Sequence, residues 1–330
     1  MKKKIIRNSI IFLVLGMIIL GGTIIYATSY YANNTTYNNT TSGLSTANVS
    51  DTLDKLYSMC VPRQTVVEYV TNTYKGATQT DVTTAGGEAI KQATSVNLME
   101  DSFGNIRYYG ANPYNYVTFN DELWRIIGVF DVDGEYRVKL IRNESIGNRE
   151  YDSSSELLND YYKSELNVYL NGTYYNGLSD IAKRMIISST WNLGGSSVNN
   201  GLYSDDFYNL EKSSTVYSGH HTAWTGNIAI IYPSDYGYAT DLNLCTQTLL
   251  DYYNTNCKNN NWLFNSTYQW TISPWSSSAS LVFNVFSDGF VDSNDAYFDV
   301  GIRPSVYLNS NIQINTNGSD GSTTSPFIVN

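Results

Sequence analysis

The chain has 330 residues, with 20 basic and 30 acidic side chains, and four of the basic ones lie within the first seven positions. The remainder is therefore acidic, which argues against nucleic acid as a partner because phosphate backbones are bound through positive charge. The 29 tyrosines and only 15% charged residues are typical of extracellular recognition surfaces, where tyrosine supplies contact area with few torsions to freeze. A β-rich secreted domain that uses tyrosine in its strands would give the same composition.

Residues 1–27 predict a cytoplasmic tip followed by a transmembrane anchor. The uncharged apolar run 10–27 would span about 27 Å as a helix, close to the ~30 Å hydrocarbon core, and the preceding basic cluster predicts a cytoplasmic amino end. The alternative is a cleaved secretory signal, for which Ala27-Thr28-Ser29 offers a small-residue site. We therefore expect a single-pass protein of the cell membrane with its C-terminal domain extracellular, or a secreted protein if the segment is cleaved.

A polar linker and a short helix are predicted to follow the anchor. Residues 28–46 are almost entirely Thr, Asn, Ser and Tyr without apolar periodicity, which indicates an unfolded linker. Residues 47–60 carry Val49, Leu53, Leu56 and Cys60 on one stripe of an amphipathic stalk helix. Three turns are too few to be stable alone, so the helix must pack on the domain or on copies of itself. The segment resembles short stalk helices of bacteriophage tail fibres, which makes self-association through residues 49–60 a hypothesis.

The three cysteines fit an exported protein. Cys245 and Cys257 lie in one polar stretch, and a disulfide between them would close a loop of about a dozen residues. A metal-binding or nucleophilic role for either would need partners, and the only histidines are His220 and His221. Cys60 is left over, as a free thiol or as a link between neighbouring chains.

Residues 61–100 are a connecting segment, in which 66–70 are consistent with a strand and 87–93 with a short helix. Residues 101–330 form the main domain, predicted to be α+β with its helices early and its sheets late. Runs 123–130 and 135–142 flank Asp133-Gly134, which predicts a hairpin turn with positive φ. Helices are predicted at 156–170 and 178–187, and further strands at 228–232, 268–272, 281–286, 290–292 and 302–308.

Five segments of the main domain carry a resemblance to a known family. They are residues 105–113 (NIRYYGANP), 123–129 (LWRIIGV), 141–145 (IRNES), 232–239 (YPSDYGYA) and 301–308 (GIRPSVYL). In this order they resemble surface proteins, many from gut Bacillota, that have a C-type-lectin-like or formylglycine-generating-enzyme-like domain and are similar to retroelement-diversified binding proteins. The resemblance implies a C-type-lectin-like fold whose last strands, before the Gly-Ile-Arg-Pro segment, carry an exposed binding face.

The residues of this region support such a face. Residues 283–292 can form a hairpin with a Ser287-Asp288-Gly289 loop, in which Phe286 lies opposite Phe290. Phe283, Val285 and Val291 would then point to the core and the alternate residues to solvent. Aromatic rings beside short polar groups are typical of a binding surface. The alternative is that the rings cover a helix and the polar residues merely solvate a loop. The candidate ligand-binding residues are Asn284, Phe286, Phe290, Asp292, Ser293, Asn294, Asp295, Tyr297, Phe298 and Asp299.

The sequence favours an extracellular ligand-binding protein of adhesin type over an enzyme, with an unidentified protein or glycan as ligand. No reactive cysteine, metal motif or phosphate loop is visible, so no catalytic residue, metal ligand or cofactor is predicted. Asp292, Asp295 and Asp299 form the densest acidic group, and calcium binding there is a less favoured alternative. Two further alternatives are a hydrolase of cell-wall or host glycans, which needs cleft carboxyls with raised pKa, and a structural stalk subunit.

Overall fold

The computed structural model describes residues 64–153 and 158–330, and these residues form a mixed α+β structure in which strands dominate. The predicted anchor, linker and stalk helix, together with Cys60, lie outside the described residues. Within the described residues, no helix combines the length and apolarity needed to cross a bilayer. The α+β class is thus confirmed at this level.

Seven α-helical segments lie in the described residues. They are α1 (Val66–Gly76), α2 (Glu165–Tyr169), α3 (Tyr175–Gly177), α4 (Asp180–Met185), α5 (Ser204–Glu211), α6 (Pro233–Tyr238) and α7 (Thr255–Lys258). A π-helical turn at Leu170–Tyr174 joins α2 to α3. The predicted helix at 156–170 is therefore wrong in its start: α2 begins after the cap Ser164, whose hydroxyl accepts a hydrogen bond from the Asn167 amide.

Eighteen strands lie in the described residues and are distributed throughout them. They are β1 (Thr80–Thr83), β2 (Ala89–Ala93), β3 (Leu98–Glu100), β4 (Ile106–Tyr108), β5 (Tyr116–Phe119), β6 (Glu122–Val132), β7 (Glu135–Arg142), β8 (Asn148–Arg149), β9 (Ser189–Asn192), β10 (Ala223–Gly226), β11 (Ile228–Ala229), β12 (Gln269–Pro274), β13 (Leu281–Val285), β14 (Val291–Asp295), β15 (Val300–Gly301), β16 (Ser305–Tyr307), β17 (Ile314–Asn315) and β18 (Phe327–Val329). Eight of them precede α2, so the predicted order of early helices and late sheets is wrong.

The described strands form three sheets. The largest has eleven strands: its main path is β1-β2-β3-β4-β6-β5-β18-β17, and β7, β16 and β11 extend it from the other edge of β6. A second sheet has the order β14-β13-β12-β15-β8, and β9 and β10 form a two-stranded ribbon. Because β1, β2 and β3 belong to the largest sheet, the described unit continues through residue 101, where the sequence analysis placed the start of the main domain.

The long β6–β7 hairpin is the centre of the largest sheet and confirms the sequence prediction. Asp133 (φ 54°) and Gly134 (φ 81°) form its turn with positive φ at both positions, as a two-residue hairpin requires. Gly128 in β6 allows β4 to approach, since a Cβ there would come within 2.3 Å of the Ile106 carbonyl oxygen. Side chains from this hairpin, including Trp124, Ile126 and Leu140, are fully buried in the core.

The two predictions for the connecting segment are both wrong. Residues 66–70 belong to helix α1, which begins with a capping box: the Thr65 hydroxyl accepts from the Glu68 amide, and the Glu68 carboxylate accepts from the Thr65 amide. Residues 89–93 form strand β2, which pairs with β1 across a turn at Gly87. Val66, Val70 and Tyr74 are buried on one helical face, so packing outweighs the β preference of the valines.

The ends of the described unit lie beside each other. The Ile314 amide donates to the Gln64 carbonyl oxygen at 3.0 Å, and the Val66 amide donates to the Ile312 carbonyl oxygen at 2.9 Å. Gln313 pairs in turn with Asn330 through two backbone hydrogen bonds. Strand β18, which ends at Val329, also lies parallel to β5, so the last strand closes onto the start of α1 and the main sheet together.

Candidate functional site

The hairpin predicted near the end of the chain is present. Strands β13 and β14 pair antiparallel with Phe283 opposite Ser293 and Val285 opposite Val291. The Phe286 amide donates to the Phe290 carbonyl oxygen at 2.8 Å, and Gly289 has a φ of 108°. The predicted register and the Ser287-Asp288-Gly289 turn are therefore confirmed.

One face of this hairpin is core, as predicted. Phe283, Val285 and Val291 are at most 3% exposed. The Phe283 ring packs edge-on against Phe207 of α5 at a centroid distance of 5.2 Å and against Trp275 at 5.4 Å. These contacts hold the base of the hairpin against the core of the domain.

A row of four partly exposed aromatic rings lies at the turn end of the other face. Phe286 and Phe290 stack with centroids 4.3 Å apart and planes inclined by 14°. Tyr268 continues the row beside Phe286 at 5.1 Å, and Tyr253 continues it beside Phe290 at 6.4 Å. Tyr268 is 42% exposed and Tyr253 is 52% exposed. We call these four residues the aromatic row.

The sequence analysis missed the two tyrosines of the aromatic row. Tyr268 immediately precedes β12, the strand beside β13, so its position follows from sheet pairing that one sequence does not reveal. Tyr253 lies within the loop closed by Cys245 and Cys257, whose predicted disulfide is present. The tyrosine-rich composition was the only signal that could have suggested additional rings.

The disulfide loop holds the hairpin turn in place. The ideal Cβ position of Gly289 lies 3.2 Å from the Tyr252 carbonyl oxygen and 3.1 Å from the Lys258 Cβ, both in or next to this loop. The buried Tyr236 hydroxyl of α6 donates to the Gly289 carbonyl oxygen at 2.8 Å. The turn is thus fixed from two sides, which makes the aromatic row a preformed surface.

Asn284 does not belong to an exposed face, and its prediction as a contact residue is wrong. Its side chain is fully buried between Trp270 of β12 and Asp292 of β14, its cross-strand neighbours. Trp270 is itself covered by Tyr151 at a centroid distance of 5.7 Å. The outer face of the hairpin is therefore buried at Asn284, while Phe286 and Phe290 beside the turn are partly exposed. Both polar atoms of the Asn284 amide lack a hydrogen-bond partner.

The remaining candidate residues form a separate group at the far end of the hairpin. Asp295 pairs with Leu281, five residues along the strand from Phe286, which is about 17 Å at 3.4 Å per residue. Tyr297 and Phe298 contact each other there at 5.1 Å and are 49% and 44% exposed. The predicted set is therefore divided: Phe286 and Phe290 belong to the aromatic row, and Asp292, Ser293, Asn294, Asp295, Tyr297, Phe298 and Asp299 lie outside it.

Two acidic side chains of strand β14, Asp292 and Asp295, already have protein partners. Asp292 accepts a hydrogen bond from Asn199 at 2.6 Å, and Asp295 accepts one from the Tyr297 hydroxyl at 3.0 Å. That hydrogen bond and the Asp295 charge raise the pKa of the Tyr297 hydroxyl. Among residues 64–153 and 158–330, no three His, Cys, Asp or Glu side chains gather in a group able to hold a metal ion.

The two histidines lie in different surroundings. His221 is 2.8 Å from Asp160 through Nδ1 and stacks on Tyr162 at a centroid distance of 3.9 Å. His220 is buried and packs near Tyr217, and burial lowers its pKa. The buried Asp160 carboxylate thus orients the His221 ring, whereas the His220 ring is buried and packs near Tyr217.

A cavity that the sequence analysis did not anticipate lies beside a buried network of charged side chains. Arg107 binds Asp101 at 2.7 Å and Asp235 at 3.2 Å, and Lys139 binds the other oxygen of Asp235. A cavity of about 160 Å³ reaches this network between β6, β7, β9, α5 and the start of α6. Glu211 is a buried carboxyl that lines this cavity, and burial raises its pKa to about 8. These residues are up to 134 positions apart in sequence, so no local motif revealed them.

Comparison with known proteins gives one family match. A family model described as a domain of unknown function, DUF6273, matches residues 136–310. Neither the curated proteins nor the solved structures that were searched contain a match to this chain. The matched stretch includes all four residues of the aromatic row and, in the cavity, Lys139, Glu211 and Asp235.

Proposed function

The chain belongs to the DUF6273 family, whose description assigns no activity, and we propose that it is an extracellular ligand-binding protein of adhesin type that binds through the aromatic row. The observation that carries the proposal is the row itself. Four rings in continuous contact remain partly exposed to water on a rigid base. Apolar area that stays exposed in one patch is typical of an interaction site, and aromatic side chains dominate the energy of such sites.

The proposed fold within the α+β class is a C-type-lectin-like domain. The support is positional: Phe286 and Phe290 of the aromatic row lie on the β13–β14 hairpin, which precedes the segment 301–308, and the resembling proteins carry their binding face in this region. The arrangement of short polar residues around the row, including Ser287 and Asp288, also suits a surface of anchors and adaptable hydrogen-bonding groups.

We further propose that residues 10–27 anchor the protein in the cell membrane, with the described unit outside the cell. The disulfide between Cys245 and Cys257 supports export, because such bonds persist in oxidising compartments. The acidic net charge of −10 supports a ligand other than nucleic acid. The ligand is a protein or a glycan.

The aromatic row favours binding over the glycan-hydrolase alternative. Hydrolysis needs two carboxyl groups in a cleft wide enough for a sugar chain. In the cavity, Asp235 is engaged by Arg107 and Lys139, and both Glu211 oxygens accept hydrogen bonds from Ser234. A volume of about 160 Å³ accommodates a group of one-ring size, whereas the aromatic row presents four partly exposed rings.

The test replaces Phe286 and Phe290 together with alanine in the full-length chain. Wild type and variant are applied to an array of host and cell-wall glycans and to an array of extracellular host proteins. We expect the variant to lose at least about tenfold in affinity for the wild type's ligand, because truncating a central aromatic contact costs about 2 kcal/mol or more.

Tyr114→Ala is the matched control, since Tyr114 is 61% exposed and belongs to neither the row nor the cavity. Circular dichroism and thermal unfolding establish that each variant is folded. Undiminished binding by the double variant would sink the proposal, and so would the lack of any specific signal for the wild type on both arrays.

A further inference from the structure

The cavity beside the buried charge network is a second candidate site, separate from the aromatic row. Its volume of about 160 Å³ is close to that of cavities that hold one benzene-sized molecule. Strand β7 and helix α5 contribute Lys139 and Glu211 to the interior, and the start of α6 contributes Ser234 and Asp235. The exposed residues Asp131, Asp133 and Lys212 line its mouth.

The charges of the interior leave one carboxyl without a cation of its own. Arg107 and Lys139 are balanced by Asp101 and Asp235, with which they form ion pairs. Glu211 is the remaining acid: its Oε1 accepts from the Ser234 amide at 2.9 Å and its Oε2 from the Ser234 hydroxyl at 2.5 Å. Because both partners are neutral, the Glu211 carboxylate can still gain from a positive charge.

The lining as a whole is acidic. It includes the carboxyl groups of Asp131, Asp133, Glu211 and Asp235 against the ammonium groups of Lys139 and Lys212. An acidic cavity of this size favours a small cation over an anion or a neutral molecule. The excess negative charge lies at the mouth, with Asp131 and Asp133, and Glu211 adds to it inside when its carboxyl is ionised.

The walls of the cavity already hold ammonium groups of the protein. The Lys139 Nζ lies 4.4 Å from the Tyr232 ring centroid and 5.5 Å from that of Tyr307. The Lys212 Nζ lies 4.2 Å from the Tyr208 centroid. These distances are those of cation–π contacts. Lys139 is fully buried and fixed by Asp235, but Lys212 is exposed and lacks such a fixed partner in the described contacts, so its position on Tyr208 can be vacated.

We propose that the cavity binds a small ammonium compound, whose cation takes the place of the Lys212 ammonium on the Tyr208 ring and pairs with the ionised Glu211 carboxylate. Lys212 then acts as an internal competitor that covers the site when no ligand is present. The ligand class is a primary or methylated amine of no more than about one-ring size.

Binding depends on pH through Glu211. The groups that face it are Asp235, Lys139, the Ser234 hydroxyl and the rings of Tyr232 and Tyr307. Burial raises the pKa of the Glu211 carboxyl to about 8, so a cation must displace its proton at neutral pH. Affinity should therefore increase as the pH rises from 6.5 to 9.

The experiment is calorimetric titration of the purified full-length chain with tetramethylammonium chloride. tert-Butanol, a neutral molecule of similar shape, and sodium chloride are the controls. We expect saturable binding of tetramethylammonium that is absent with both controls. Lys212→Ala should strengthen it roughly two- to fivefold, because the internal competitor is removed.

Glu211→Gln should weaken binding by about tenfold or more and abolish its dependence on pH. Lys212 is exposed, so Lys212→Ala should fold normally. It tests the proposal even if Glu211→Gln fails to fold. The proposal is overturned if tert-butanol binds as well as tetramethylammonium, if Lys212→Ala shows no saturable binding or no gain, or if a folded Glu211→Gln variant binds like the wild type.

Discussion

Gly289 is the residue at which the hairpin turn, the disulfide loop and the aromatic row meet. Its φ of 108° is a conformation that side chains with a Cβ rarely adopt, and its ideal Cβ position is close to Tyr252 and Lys258. Glycine is therefore needed here for two separate reasons, backbone strain and space. The sequence indicated the first reason, because a three-residue hairpin loop places glycine at a left-handed position, but it could not indicate the second.

Gly289→Ala should lower the free energy of unfolding by about 1–3 kcal/mol and also weaken ligand binding at the aromatic row. The substitution strains the backbone and pushes the turn away from the disulfide loop, which separates Phe290 from Tyr253. Urea unfolding and the array ligand identified for the wild type provide the two measurements.

Gly87→Ala is the control for the backbone contribution, since Gly87 has a φ of 87° and open space around its Cβ position. We expect this variant to lose only about 1 kcal/mol and to bind normally. Equal effects of the two substitutions on both measurements would show that packing around Gly289 does not support the aromatic row.

Glu211 predicts a pH dependence of stability. Burial raises the pKa of its carboxyl from 4.5 to about 8, so between these values the folded chain holds a proton that the unfolded chain has lost. The resulting stability is complete below pH 4.5 and decreases as the pH rises towards 8, by roughly 1 kcal/mol per pH unit.

Glu211→Gln should flatten this dependence, which urea unfolding at pH 5, 6.5 and 8 would measure. Other carboxyls with a raised pKa, such as Glu88, are present in both proteins. The difference between the wild type and the variant therefore reports Glu211 alone. If the two proteins lose stability in parallel from pH 5 to pH 8, the Glu211 carboxyl is not protonated in the folded state.

At the scale of elements, the sequence predicted structure well where a tight turn determines it and poorly where capping or packing determines it. Asp133-Gly134 predicted the β6–β7 hairpin because a two-residue turn determines its own conformation. Residues 66–70 were misread as a strand because their valines favour β structure, while the Thr65–Glu68 capping box decided for a helix. The alternation of side chains along a strand predicted that Asn284 faces solvent. Trp270 and Tyr151, which packs on Trp270, bury that position instead.

The disulfide gives a prediction for the loop that carries Tyr253. Replacing Cys245 and Cys257 with serine should lower the free energy of unfolding by about 3 kcal/mol, because the bond closes a loop between cysteines that are 12 positions apart. Chemical unfolding measures this loss, and limited proteolysis should show new cleavage within residues 246–256. Unchanged proteolysis would mean that packing alone orders the loop.

At the scale of the molecule, the sequence predicted the α+β class and the position of the β13–β14 hairpin, which we propose to bind the ligand. It could not predict the full site, because Tyr253 and Tyr268 reach Phe286 and Phe290 through the disulfide loop and a neighbouring strand. It also could not predict the charge network beside the cavity, in which Arg107, Lys139 and Asp235 come together only when the large sheet meets α6. Ion pairs between distant residues have no signature in a single sequence.

The hydrogen bonds between Gln64, Ile314 and the Gln313–Asn330 pair determine how the domain would respond to tension. A pull on the chain from the side of residue 64 first loads the Gln64–Ile314 and Val66–Ile312 hydrogen bonds, which adjoin the short β17–β18 ladder. The hairpin turn adjoins strands β13 and β14, which belong to a different sheet from that ladder. Tension along the chain would thus act on these hydrogen bonds before it reached the aromatic row, which we propose to be the ligand-binding surface.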